Sequence, residues 1–514
     1  MKSTLKTPSD KLVTLINSLT KAEKRSFRLY VKRNGNDGDT KFMQLFQLIS
    51  KEQNFNEKVV LKKIPDLKKS QLSNLKANLF KQILSCLRLL ERNKIAEIQV
   101  REQIDFARIL YDKGMYKTCL EILDKAKKLA VDINYETLTL SILYFEKQIE
   151  SQHITGSMSS KADELTGQSD RVLSEINLTN ELSNLSLLLY GRYLRFGFVK
   201  NDLEYEELKS FFDEHLPSYQ EQDLGFYQRL YLYQSYVWFY SMAQDFRNCY
   251  KYSRKWVSLY EDNPGKKITS TTAYVKGYHN VLNALFMTQS RNRFNEAYDQ
   301  FLVFDIHHNK LPSFNEISLF NLFKWTHFLN KTFLNAEFEV TEELLNFEKV
   351  LEENEFGWDM HRMLILYYKL ACCYFGIGDL DKAIGYLNII CNQNYPDLRQ
   401  DIQSFARILN LIANFDKGNE DLVAYQVKSL YRFLSKMSEL EKTQLEIIKF
   451  LRNTPKMFPK DINAEFIKLK ENLSAIEQRP YEKRPFLYLD IISWLEAKIQ
   501  GTTIKEIIKA KINS

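Results

Sequence analysis

The sequence predicts an all-α fold, in which a superhelix of paired helices follows a small basic helical bundle. Only 16 glycines and 10 prolines interrupt the 514 residues, and apolar residues recur at helical steps of three and four. The clearest unit spans residues 364–396, whose two apolar faces consist of Tyr367, Leu370, Ala371 and Tyr374 and of Leu380, Ala383, Leu387 and Ile390. A helical hairpin of this kind cannot bury its apolar face alone, so such hairpins are expected to stack into a solenoid.

The same pattern recurs along the chain, each time around a turn between two helices. At a distance of 264 positions, Ala107, Leu110, Gly114, Tyr116, Cys119, Leu123 and Ala126 align with Ala371, Tyr374, Gly378, Leu380, Ala383, Leu387 and Ile390. Weaker copies place Gln244 and Asn292 at the turn, and a further copy keeps a glycine at Gly418. This spacing resembles the tetratricopeptide family with degenerate repeats, although the family's tryptophan early in the first helix is absent.

The resemblance implies a concave groove that holds a peptide or helix from another protein, lined by the first helix of each pair. The groove-facing candidates on those helices are Arg101, Arg108, Tyr368 and Lys369. We therefore expect three regions along the chain. They are a basic helical domain at 1–95, a tetratricopeptide-like solenoid at 96–435 and a helical cap at 436–514.

The N-terminal region differs from the remainder in charge. Residues 1–100 contain 21 Lys and Arg against 9 Asp and Glu, whereas the other 414 residues contain 51 against 56. A helix over residues 20–33, opened by the capping box Thr20-x-x-Glu23, carries one basic face of Lys21, Arg25, Arg28 and Lys32. In the next long helix, Lys69 and Lys76 share one flank. Such faces can neutralise nucleic-acid phosphates or meet an acidic protein, although no helix-turn-helix signature accompanies them.

Motifs for catalysis and cofactors are absent from the sequence. It has no phosphate-binding loop, no dinucleotide-binding glycine pattern, no zinc-protease motif and no nucleophile elbow. The six cysteines form no Cys-x-x-Cys pair and are expected to be small apolar residues of a reduced core. We therefore predict no enzyme activity, no cofactor and no metal. Apolar runs are too short to cross a membrane or to form a secretory signal, which favours a cytoplasmic protein.

Three classes of function stay open at this point. The first is a non-enzymatic scaffold or adaptor that binds a protein or peptide through its groove. The second is a regulator whose basic N-terminal domain contacts nucleic acid, an arrangement similar to bacterial peptide-sensing transcription regulators. The third is an unrecognised enzyme. The sequence leaves the partner, the pathway and the oligomeric state open.

Overall fold

The computed structural model describes residues 11–33, 41–51, 57–64, 67–153, 160–304, 313–392, 400–419, 422–423, 425–427, 429–430, 442–453, 461–478, 481 and 490–513. Over these residues the chain forms α-helices and one short 3-10 helix at Glu221–Asp223, with no strand. Successive helices pack on their neighbours in chain order. The predicted all-α class, with helices stacked as in a solenoid, is confirmed.

Two compact units divide the chain, Met1–Asn177 and Leu178–Ser514, here called the N-terminal and C-terminal units. The predicted boundary after residue 95 stays a prediction, and the one after residue 435 lies outside the described residues. The helices of the N-terminal unit are α1 (Lys11–Ser18), α2 (Lys21–Arg33), α3 (Lys41–Lys51), α4 (Glu57–Lys63), α5 (Lys69–Glu91), α6 (Ala96–Asp112), α7 (Tyr116–Asp132) and α8 (Glu136–His153). Helix α9 (Lys161–Phe196) continues across the division.

The C-terminal unit contains the remaining described helices. They are α10 (Asp202–His215), α11 (Phe226–Met242), α12 (Phe246–Glu261), α13 (Pro264–Thr269), α14 (Thr271–Met287), α15 (Arg291–Val303), α16 (Phe314–Asn335), α17 (Glu342–Glu353), α18 (Met360–Ile377), α19 (Leu380–Cys391), α20 (Gln400–Asp416), α21 (Lys442–Asn453), α22 (Ile462–Glu477), α23 (Ile491–Gln500) and α24 (Ile504–Asn513). One continuous apolar core, from Leu182 to Leu495, joins most of them. A smaller core packs Leu208 and Phe212 of α10 against Phe239 and Met242 of α11.

The N-terminal unit has two separate apolar cores. The first involves α1 to α5 and centres on Phe27 and Phe46, whose ring centroids are 4.7 Å apart. The second joins α6, α7 and α8 through small and branched side chains such as Ala107, Cys119 and Leu123, which are all fully buried. The small residues let α6 and α7 approach closely, as the aligned hairpin pattern predicts.

Several helix endings share one backbone geometry, and five of them are hairpin turns of the repeated pattern. Each contains a residue with positive φ: Gly114, Gln244, Gln289, Gly378 and Gly418. The residue after each of them donates its N–H to the carbonyl five positions back, as Asp379 does to Tyr374 at 3.0 Å. This is the Schellman ending of a helix, in which a left-handed residue satisfies carbonyls that the last turn leaves unpaired. The repeated turn therefore has a physical basis in the backbone.

Burial follows the same register after every one of these turns. The side chains 5, 9 and 12 positions beyond the turn residue are buried in all five hairpins: Cys119, Leu123 and Ala126; Cys249, Ser253 and Trp256; Phe294, Tyr298 and Phe301; Ala383, Leu387 and Ile390; Val423, Val427 and Leu430. The expected turn at Asn292 is wrong by three residues. Asn292 lies inside α15 and Gln289 makes the turn, because glutamine carries no sequence signal for a left-handed conformation.

The last helices of the C-terminal unit return toward its middle. Helix α24 contacts α18, and Lys505 pairs with Glu339 at 2.5 Å. At the other end of the helix, Arg291 donates to the carbonyl of Ile512 at 3.4 Å. The basic C-terminal segment is therefore fixed by charged contacts to elements about 170–220 positions earlier.

Candidate functional site

The predicted basic face of α2 is exposed to solvent. Its four side chains are Lys21, Arg25, Arg28 and Lys32. On the opposite side, Phe27 and Val31 are 1% and 4% exposed and belong to the core. The predicted capping box is present, since Glu23 N donates to Thr20 Oγ1 at 3.2 Å and Thr20 N donates to Glu23 Oε2 at 2.7 Å. The start of α2 is thereby fixed, and its basic residues line the side away from the core.

The second predicted basic pair lies on α5. Lys69 is exposed and Lys76 is half-buried, two helical turns further along. Leu72 and Leu79 on the adjoining face are buried in the first apolar core. Helix α5 thus presents its lysines on the solvent side of the helical bundle, as the spacing predicts.

Two of the four predicted groove residues, Arg101 and Arg108, lie on the exposed face of α6, two turns apart. The guanidinium carbon of Arg108 lies 3.8 Å from the ring centroid of Phe145 on α8 and 6.0 Å from that of Tyr111. Stacking on an aromatic ring is worth about 0.5–1 kcal/mol at an exposed site and limits the rotamers of the arginine. Arg108 is therefore oriented and still open to solvent.

Arg101 occupies a more polar setting on the same face. Its Nη2 lies 2.9 Å from Glu97 Oε1, and the hydroxyl of Tyr135 donates to the same oxygen at 3.1 Å. The hydrogen bond to Glu97 raises the pKa of Arg101. We call this surface the α6–α8 face: it consists of the exposed Arg101 and Arg108, the half-buried Tyr135, and the buried Phe145 ring that lies beneath Arg108.

The other two predicted groove residues lie inside the C-terminal unit. Tyr368 and Lys369 on α18 are 5% and 4% exposed. A partner on the surface cannot reach them in this conformation, which differs from the expected position in a groove. The reason is tertiary: α16 packs beside α18, and the Phe286 ring of α14 lies with its centroid 5.2 Å from Lys369 Nζ.

Lys369 belongs to a buried polar chain that joins three helices. Its Nζ donates to Asn330 Oδ1 at 2.5 Å, and Asn330 Nδ2 lies 3.1 Å from His327 Nδ1 on α16. His327 Nε2 in turn lies 2.9 Å from Nδ1 of His279 on α14. Because the Asn330 amide must donate to Nδ1 of His327, the proton of that ring is assigned to Nε2, which donates to His279. Each hydrogen bond of this polar network is then donated in the direction from Lys369 to His279.

The imidazoles of His279 and His327 are both neutral in this network. Burial, with a smaller effect of the Lys369 charge, lowers the pKa of His279 to about 3. Burial also lowers the pKa of His327 well below its ordinary value. The network therefore ties α14, α16 and α18 together through two neutral imidazoles and the Lys369 ammonium. Sequence reasoning missed it because its members are 39 and 48 positions apart, and the spacing of His327 and Asn330 on one helix face was its only local signal.

Three thiols, those of Cys249, Cys372 and Cys373, are buried in the apolar core of the C-terminal unit. Burial raises the pKa of Cys249, Cys372 and Cys373 to about 12. A thiol with such a pKa is protonated near neutral pH and is a poor nucleophile and metal ligand. Among the described residues, no three His, Cys, Asp or Glu side chains are grouped to hold a metal ion.

The described helices also include none that is long and apolar enough to cross a lipid bilayer. No protein-family model, no curated protein and no solved structure matches the chain.

Proposed function

We propose that the chain is a non-enzymatic scaffold, built from tetratricopeptide-like repeats, that binds a protein or peptide partner in the cytoplasm through the α6–α8 face. The observation that carries this proposal is the exposed Arg108 stacked on Phe145, with Arg101 two turns earlier on the same helix. An arginine held in this way loses little rotamer freedom on binding, and its planar guanidinium favours a carboxylate partner. We infer that the bound segment is acidic.

A charge reversal of the full-length protein tests this placement. The variant Arg101→Glu/Arg108→Glu should weaken capture of the partner by about tenfold or more, roughly 1.4 kcal/mol or more. The matched control is Lys125→Glu/Lys128→Glu, which makes the same change in net charge on two exposed positions of α7. Partners are identified by crosslinking and mass spectrometry with wild-type protein, and affinities are then measured with the purified partner.

Weaker partner binding by Arg101→Glu/Arg108→Glu, together with unchanged binding by the Lys125→Glu/Lys128→Glu control, supports the proposal. Equal affinity of both double variants and the wild type for the identified partner would place binding elsewhere. Lys369 is not a suitable position for this test, because a glutamate there would be buried beside Asn330. Its effect on folding would conceal any effect on binding.

A second proposal rests on a different observation, the exposed basic face of α2. Lys21, Arg25, Arg28 and Lys32 follow steps of four, three and four, so their charges can meet successive phosphates of a nucleic acid. We propose this regulator role as the alternative. Binding of labelled DNA should weaken with salt, and replacement of all four residues by glutamine should reduce the logarithmic salt slope by about three to four. A slope unchanged by the quadruple variant would exclude α2 as the binding face.

A further inference from the structure

A cavity of about 290 Å³ lies within the C-terminal unit. It is lined on one side by the C-terminal ends of α14, α16 and α18 and on the other by the end of α22 and by α23 and α24, and it is partly open to solvent. Three aromatic rings line the side of the inner helices, those of Phe286, Phe333 and Phe375, together with non-aromatic residues such as Leu334 and Cys372. Ile492 and Ile508 from the two last helices face them.

Polar groups line the cavity as well. Asp490, Glu477 and Lys511 belong to its lining. The Lys511 ammonium is held by the Glu496 carboxylate at 2.9 Å and by the Ser493 hydroxyl at 2.8 Å. Asp490 accepts from Ser493 N at 2.8 Å, which caps α23. The carboxylate and the ammonium are therefore held in place before any ligand arrives.

We propose that this cavity is a binding site for a small aromatic molecule that carries one hydrogen-bonding group. Ligand sites are concave and mostly apolar, with a few fixed polar groups that orient the ligand. An engineered apolar cavity of about 150 Å³ in another protein is sufficient for benzene, so this cavity has room for a larger ring system. The aromatic walls contact the ring faces and edges, and Asp490 or Lys511 meets the polar group.

Helix α24 forms the part of the wall that is held by the fewest buried side chains. Of its residues, Ile507 is the buried one, at 7% exposed. The ion pair of Lys505 with Glu339 and the bond of Arg291 to the Ile512 carbonyl hold its two ends. A ligand in the cavity adds contacts to Ile508 on the inner side of the helix. Binding should therefore stabilise the docked position of α24.

The test uses the full-length protein and indole as the probe. Wild type should bind indole with a dissociation constant of about 1 mM or lower, measured by calorimetric titration. Ile508→Trp fills the cavity from α24 and should weaken binding by about tenfold or more. Ile512→Trp is the matched control, because it adds the same side chain to the same helix at a position that does not line the cavity; it should bind as wild type does.

A second cavity-filling variant, Ile504→Trp, repeats the test from another position, so the test does not depend on the folding of Ile508→Trp. Circular dichroism verifies the helix content of each variant. Absence of indole binding by wild type at about 1 mM, or equal binding by wild type and a folded filled variant, overturns the proposal. The cavity and the α6–α8 face belong to different units. The Arg101→Glu/Arg108→Glu variant should therefore bind indole normally, so one proposal can fail while the other holds.

Discussion

Two helical glycines in one hairpin should respond in opposite ways to the same substitution. Gly376 on α18 faces Phe338, and a Cβ added there would lie 2.5 Å from the ring carbon Cδ1 and 2.9 Å from Cγ. Gly385 on α19 is exposed, and a Cβ there would have no neighbour within 4 Å. Phe338 is 6% exposed and packs near Phe333, with 6.0 Å between ring centroids. The whole ring must move to admit a methyl group at position 376.

The magnitudes follow from these distances. Replacing glycine by alanine inside a helix stabilises by about 0.5–1 kcal/mol, so Gly385→Ala should raise the free energy of unfolding by that amount. Ordinary carbon contacts lie near 3.5–4.0 Å, so the Phe338 ring must shift by about 1 Å. Overpacking of this kind costs about 1–3 kcal/mol. After subtraction of the helical gain, Gly376→Ala should therefore lower the free energy of unfolding by up to about 2.5 kcal/mol.

The measurement is urea-induced unfolding of both variants and wild type, followed by far-ultraviolet circular dichroism and by tryptophan fluorescence. Coincident transitions establish that one free energy describes the process. A smaller side chain at 338 should relieve the clash, so adding Phe338→Leu to Gly376→Ala should give a favourable coupling energy. Equal stability of Gly376→Ala and Gly385→Ala would refute the close packing of Phe338 on α18.

Three other predictions concern the turns, the buried histidines and an ion pair. Gln289→Gly should stabilise the protein by about 0.5–1 kcal/mol by relieving a left-handed glutamine, at the loss of one local hydrogen bond to the Phe286 carbonyl. Gln244→Gly should gain less because its amide donates to two carbonyls outside its own turn; equal gains in thermal unfolding would contradict this. The unfolded chain protonates His279 near pH 6.5 while the native pKa is about 3, so stability should be full above pH 6.5 and fall as the pH drops below it. His279→Gln should flatten that part of a pH series, and an unchanged slope would show that other groups cause it. Glu146→Ala should lower the free energy of unfolding by about 2–4 kcal/mol because it leaves a half-buried lysine unpaired. Lys128→Ala removes one partner of an exposed pair and should change the free energy of unfolding by under about 0.5 kcal/mol; similar losses in the two variants would argue against the burial of the first pair.

Local features of the fold could be read from the sequence because each depends on a few consecutive residues. The capping box at Thr20 and Glu23, the basic side of α2 and the turns at Gly114 and Gly378 are of this kind. Helical periodicity likewise identified the buried set after Gly378, since the residues of one helix face recur at three and four. The turn at Gln289 was missed because glutamine carries no sequence signal for a left-handed conformation.

The candidate sites were predicted less completely. Among the described helices, α7 and α8 pack on α6 and leave Arg101 and Arg108 exposed. Lys369 is buried because α16 packs on its side of α18 and the Phe286 ring of α14 lies beside its ammonium. The residues that surround a lysine in the sequence of a helix do not indicate whether its side chain will be exposed or buried. Its long side chain can extend to water or donate to a buried acceptor such as Asn330, and only the packed neighbours select between them.

The sequence by itself determined the helical class, the positions of most hairpin turns and the basic character of the N-terminal region, since these follow from periodicity, capping and charge along the chain. The tertiary structure decided which polar side chains are buried, how His279, His327 and Lys369 are joined, and where the last helices leave a cavity. These features bring together residues that are about 40 to 220 positions apart. No short-range pattern encodes them, because they arise only when whole helices pack.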